Sequence, residues 1–491
     1  MEILTQIFAY QAENSLQFNS VLFFVLFFVF YSIYSLTVRK VSVRNLWSLL
    51  FSLFFYYKIA GSFVLLLIAM GSSDFFIGKA IAGSSKNRKR NFLLALSLTL
   101  NLGFLLFFKY TQFFFDSWMG ITEQTTVNLH IIQPIGISFF VFKTLTYIFD
   151  VHREMIEEPE NNYVNYLLYV SFFPNILAGP IAKARNLLPQ LGQPVEIDAR
   201  KIGRGLFLIL SGLFFKVVIA DFLAVNFVDR VFDAPIYFSG FEAFMASVGA
   251  MFQIYYDFAG YTNMVLGISL LMGFAIEPNF DQPFLAKNST EVWRRWHITL
   301  STWVNEYLYT PLSFSLRKWH TFGAVIAVLI TFFVSGLWHG AAWTYILWGV
   351  SHGIAIAWDT ATQKGRKKIS SKISKKIYNP ISIIFTVIFL SLSVVLFKSS
   401  DLTKAETVYQ LIFTKFDASL LFQWVSLYFY PALILLLAIV LHYFPKPWTE
   451  RAIAIFTKMH WTLKVATICV FSIIIYQVYI SASQPFIYMV Y

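Results

Sequence analysis

Residues 322–358 read FGAVIAVLITFFVSGLWHGAAWTYILWGVSHGIAIAW, and this stretch decides the fold. It contains 37 consecutive positions without Asp, Glu, Lys or Arg. As one helix it would be about 55 Å long, against a hydrocarbon core of about 30 Å. Two lipid-length spans are therefore expected, and Gly336–Gly340 is the natural break because glycine weakens a helix and permits close backbone approach. The spans would meet at His339. A titratable group at a glycine-bracketed bend inside a membrane is a site hypothesis by default. The surrounding region, 291–353, holds four of the eight histidines (His297, His320, His339, His352) and seven tryptophans.

Composition extends this reading to the whole chain. Of 491 residues 57% are apolar and 19% aromatic, with 55 Phe. Charged residues make up 13%, where soluble domains carry about 25%. This predicts an all-α polytopic membrane protein, read as one membrane domain over residues 1–491 because no polar linker divides it. The net charge of +12 clusters in short loops between apolar runs, which fits the positive-inside rule and not nucleic-acid binding. The single Cys469 excludes a disulfide framework. No HExxH or Cys-His spacing supports a metal. The N-terminus lacks the basic region of a cleavable signal, so residues 21–33 read as part of a retained first span.

Twelve apolar spans are expected: 18–37, 45–57, 60–82, 92–115, 130–150, 204–228, 240–272, 322–337, 341–358, 379–398, 424–444 and 462–483. Stretches 163–182 and 288–312 carry Pro or charges and read as re-entrant or interfacial. With the N-terminus outside, the basic loops 38–44, 83–91, 183–203, 359–378 and 445–461 all fall inside. Loop 151–160, with four glutamates, dissents, though acidic residues weigh little in this rule. The alternation sets the His339 bend toward the outer side and 288–312 toward the cytoplasm. On a helical wheel of 291–306, Trp293, Trp296, Leu300 and Trp303 share one face with His297 at its edge, which predicts one amphipathic helix.

Several blocks in this order and spacing resemble one family. They are PIGISFFVFKTLTYIFDVHRE (134–154), FFPNILAGPI (172–181), YDFAGYTNMVLGISLLMGF (256–274) and the run from Pro278 to Leu312 containing WRRWH. SGLWHGAAWTYILWGVSHG (335–353) and the terminal FIYMVY (486–491) complete the set. The chain is similar to the membrane-bound O-acyltransferases, in particular the bacterial branch serving O-acetylation of alginate, other polysaccharides and peptidoglycan. It departs from the pattern at Asn263, Asn305-Glu306 and Ser313, positions that bear on subfamily and substrate.

The resemblance implies that His339 is the catalytic histidine and His297 the second signature position. It also implies acetyl-CoA or another acyl thioester as donor substrate with no bound cofactor, a bacterial cytoplasmic membrane location, and an extracytoplasmic SGNH-type acyltransferase partner. Chemically, a hydroxyl acceptor is a poor nucleophile near neutral pH, so a base within hydrogen-bond reach is wanted. Asp257 either orients a histidine, lines the acyl path or holds a neighbouring helix. Arg294 and Arg295 meet donor phosphates or lipid headgroups. Trp296 and Trp338 are candidate acyl contacts, although packing is the commoner role of such tryptophans.

Lys216 and Asp221, five apart, are off the spacing of a good intrahelical pair, so snorkelling or a partner on another helix is expected of them. His352 would lie about 220° from His339 on a continuous helix and is expected to pack. His320 is expected to anchor the interface. D-alanyl transfer to teichoic acid from an acylated carrier protein is a second reading. A lipid or polysaccharide transporter is a third, weakened by the lack of inverted repeats.

Overall fold

The computed structural model describes residues 7–11, 16–482, 484 and 486. Residues 487–491 of the terminal FIYMVY block lie outside these. Among the described residues the regular elements are all helical, with no strand, as an apolar chain in lipid requires when every backbone group must be satisfied internally. Among the described residues six helices are long and apolar enough to cross a membrane, or up to seven if Ala418–Leu427 and Phe429–Tyr443, bent by 106°, form one span. Two expected segments are fused in this count. Val41–Ala82 is one 42-residue candidate, interrupted by a 3-10 turn at Gly61–Phe63, and it contains both expected spans 45–57 and 60–82. The all-α polytopic class is the observed one.

The chain forms two compact units, one running to Ile209 and including Met264–Glu277, the other comprising Leu210–Asn263 and the residues from Pro278 onward. In the first unit, fully buried Arg44 donates to the carbonyls of Leu191 (2.7 Å) and Gln193 (2.9 Å) and to Asn45 Oδ1 (2.9 Å). Asp74 is equally enclosed and accepts from Ser97 Oγ (2.6 Å) and Asn101 Nδ2 (2.7 Å). The expected re-entrant stretch is a short helix, Tyr163–Ser171, followed by buried non-helical backbone through Ile181. Such backbone is tolerated at membrane depth only inside protein. The acidic loop that dissented from the charge rule is tied to the basic one: Arg90 pairs with Glu154 and donates to the His152 carbonyl at 2.7 Å. That pairing holds the Glu154 carboxyl below its ordinary range.

The second unit contains the opening stretch as two helices, His320–His339 and Trp343–Ala361. The break falls at Gly340–Ala342 and not across the whole Gly336–Gly340 block. Gly336 stays helical and serves close helix packing. A Cβ there would lie 2.4 Å from the Tyr345 carbonyl oxygen, and one at Gly349 would lie 2.3 Å from that of Phe332. Only glycine permits this contact.

Candidate active site

The WRRWH segment is not one amphipathic helix. It is two short helices, Ser289–Arg295 and Ile298–Val304, with His297 between them at φ +43°. A left-handed conformation is unusual for a residue with a side chain, and residues 279–281 hold it in place. Asp281 N–H donates to the Arg295 carbonyl and Ile298 N–H to that of Asn279, both at 2.9 Å. This cross-bridge defeats the helical wheel: past Trp296 the 3.6-residue register restarts. His297 is fully buried, with its ring edge-on to Phe258 at 4.7 Å.

Trp338 lies beside both signature histidines. Its ring centroid lies 6.3 Å from His297 and 4.8 Å from His339. The expected separation toward opposite membrane faces is therefore corrected: both imidazoles lie beside one indole, far closer than the roughly 30 Å of a hydrocarbon core. Part of 288–312 is folded against the His320–His339 helix, a contact that charge alternation does not register.

His339 is 4% exposed. Its ring is edge-on to Trp348 at 4.9 Å and to Phe397 at 5.4 Å. His352 packs on the same Trp348, at 4.8 Å. The break at Gly340 brings the two histidines to one tryptophan, which the continuous-helix geometry did not foresee. Both ring nitrogens of His352 are engaged: Trp293 Nε1–H donates to Nδ1 (3.3 Å), and Nε2 meets Ser393 Oγ (3.2 Å). His320 is exposed at the start of its helix.

A cavity of about 480 Å³ lies against these elements. Thr290, Arg294 and Thr360 line the end beside Asp359, to which Thr290 N–H donates at 2.9 Å, and Leu300, Ser301 and Ser335 also line the cavity. Ser335 precedes His339 by four residues, so the two share a helix face. Neither imidazole is among the residues that line it. Thr360 is followed by the basic stretch 364–376, so the Arg294 end adjoins the loop read as cytoplasmic. Arg294 is exposed there. Arg295 is paired with Glu291 at 2.9 Å and Asp281 at 3.8 Å. Trp296 packs on Phe280 at 5.2 Å and, with Trp293 and His352, lines a narrow apolar cleft of about 50 Å³.

Asp257 meets a lysine. Lys216 Nζ lies 2.6 Å from Asp257 and 2.7 Å from Asp221, all three buried. The expectation that Lys216 and Asp221 are poorly spaced is overturned for a clear reason. Residues Phe214–Asp221 form a π-helix, whose wider turn brings residues five apart together. Gln484 and Phe486 dock on the same group. Gln484 N–H donates to Asp221 Oδ2 (3.3 Å), and the Phe486 ring lies 4.7 Å from Lys216 Nζ.

Asn279, Ser335 and Trp348 went unremarked in the sequence. Asn279 lay inside a quoted block, but nothing in its spacing pairs it with a histidine eighteen positions away.

Comparison with known proteins decides the family. The profile of the membrane-bound O-acyltransferase family matches residues 5–399. This chain belongs to that family. It is 33% identical over 419 residues to the peptidoglycan O-acetyltransferase of Helicobacter pylori, covering 79% of this chain and 78% of that protein. It is 33% identical over 404 residues to the probable alginate O-acetylase AlgI of Pseudomonas aeruginosa, covering 81% and 75%. The teichoic acid D-alanyltransferase of Bacillus subtilis is 26% identical over 276 residues, covering 53% and 67%. Membership makes the protein a multi-pass membrane O-acyltransferase, and the transporter reading falls.

Proposed function

We propose that this O-acyltransferase resides in the bacterial cytoplasmic membrane and takes an acetyl group from a cytoplasmic thioester such as acetyl-CoA. The group then goes to O-acetylation of an extracytoplasmic polysaccharide or cell-wall glycan. An SGNH-type acyltransferase outside the membrane completes the delivery. His339 is the general base. It removes the acceptor hydroxyl proton as that oxygen attacks the thioester carbonyl carbon; the C–S bond breaks, and the imidazolium returns its proton to the departing thiolate. His297, beside Trp338, positions the thioester and takes part in proton transfer. Arg294 meets the donor phosphates at the cavity end beside the basic loop.

One observation carries this reading: a cavity is lined by Arg294 and by Ser335, which lies one helical turn from His339, and both signature imidazoles lie beside one tryptophan. Neither imidazole lines this cavity, so side chains must move for an acyl group to reach His339 from it. Names and coverage of the more similar relatives favour acetyl over D-alanyl transfer. Membrane vesicles supplied with acetyl-CoA labelled in the acetyl group test the proposal. Label in ester linkage on envelope glycan is expected. No label from acetyl-CoA, with D-alanine entering teichoic acid instead, would overturn it.

A further inference from the structure

Asn279 is fully buried, and its Oδ1 receives three contacts. Thr299 N–H donates to it at 3.1 Å, Thr299 Oγ1 at 2.7 Å, and His297 Nδ1 lies 3.2 Å away. The backbone N–H of Thr299 is a donor only, so the side-chain atom it meets must be the amide oxygen and not the NH₂ group. An amide oxygen only accepts. His297 therefore carries its ring proton on Nδ1 and directs it to Asn279, which leaves Nε2 as the nitrogen with the lone pair. The Asn279 carbonyl also receives Ile298 N–H at 2.9 Å, so one residue fixes both the left-handed backbone of His297 and its tautomer.

Resting on the acetyl-transfer reading above, we infer that Asn279 is a positioning residue that holds His297 as the Nδ1–H tautomer, with Nε2 as its proton-accepting nitrogen. The charged groups on the elements around His297 are engaged elsewhere: Arg295 with Glu291 and Asp281, and Asp257 with Lys216. Arg294 lines the cavity. An uncharged amide sets the proton position without supplying a counter-charge, and this separates it from a carboxylate in the same place.

The test measures thiol release from acetyl-CoA against pH in native membrane vesicles carrying the full chain. Asn279→Ala should lower kcat about 10²-fold while membrane abundance stays near wild type. Asn279→Asp keeps the acceptor and adds a negative charge that favours imidazolium. It should recover at least a tenth of wild-type turnover at its own optimum, with the acid limb moved up by about one pH unit. A merely structural Asn279 predicts that both variants lose folded protein together and that any residual activity keeps the wild-type pH profile; that outcome overturns the inference. Wild-type turnover in Asn279→Ala overturns it equally. A wild-type chain that releases no thiol removes the acetyl-thioester reading itself.

Discussion

Two buried polar groups in the same compact unit are stabilised in opposite ways. Lys216, Asp221 and Asp257 are charged side chains that answer one another at 2.6–2.7 Å. His297 and His339 are enclosed mainly by rings: Phe258, Trp338, Trp348 and Phe397. Charges withdrawn from water must be paired, and removing one partner leaves an uncompensated charge behind. Imidazole needs no counter-charge while neutral, so it can be buried in an aromatic box and still exchange a proton. The comparison separates a group that organises helices from a group available to chemistry, although both are intramembrane ionisable clusters of the kind that sequence reading treats alike.

Substitutions should split along that line. His339→Ala is expected to lower acyl transfer by about 10²–10⁴-fold, the usual contribution of general base catalysis. Membrane abundance should hold, as checked by ester formation per mole of folded protein. Lys216→Met leaves two facing carboxylates in the interior. It should destabilise the fold by about 3–5 kcal/mol, visible as lost abundance and earlier unfolding in detergent, while the molecules that remain folded keep their specific activity. Full stability with lost turnover would move Lys216 into the chemistry and dissolve the distinction. The smallest effect separates the two neighbouring arginines. Arg294→Ala should raise the KM for acetyl-CoA about tenfold through loss of charge-assisted contacts. Arg295→Ala should leave that KM near wild type, because Glu291 and Asp281 already occupy its guanidinium.

The fold class was legible because apolar run length and the scarcity of charge answer directly to the bilayer. The histidines at 297 and 339 were legible through family blocks. What escaped was set by local backbone geometry. The π-turn at Phe214–Asp221 makes a five-residue separation a contact, and regular helical spacing gives no hint of it. The left-handed His297 comes from backbone bonds to residues 279–281, so the segment is two short helices where a continuous wheel assumes one. The depth assigned to 288–312 failed for a related reason. Charge counting locates loops, but it does not register a segment folded back against a span. Ser335 and Asn279 are ordinary residues in sequence, and they gain meaning only from the cavity wall and from one amide oxygen.

The route from donor to His339 can be probed directly at the cavity wall. In a Cys469→Ser background, Ser335→Cys places a thiol on the wall one turn from His339, and its rate of maleimide modification can be followed with and without acetyl-CoA. The account predicts that saturating acetyl-CoA slows modification about tenfold or more, since a bound thioester would fill the space beside residue 335. An unchanged rate in membranes that are actively transferring acetyl groups would show that the donor travels elsewhere and would contradict it.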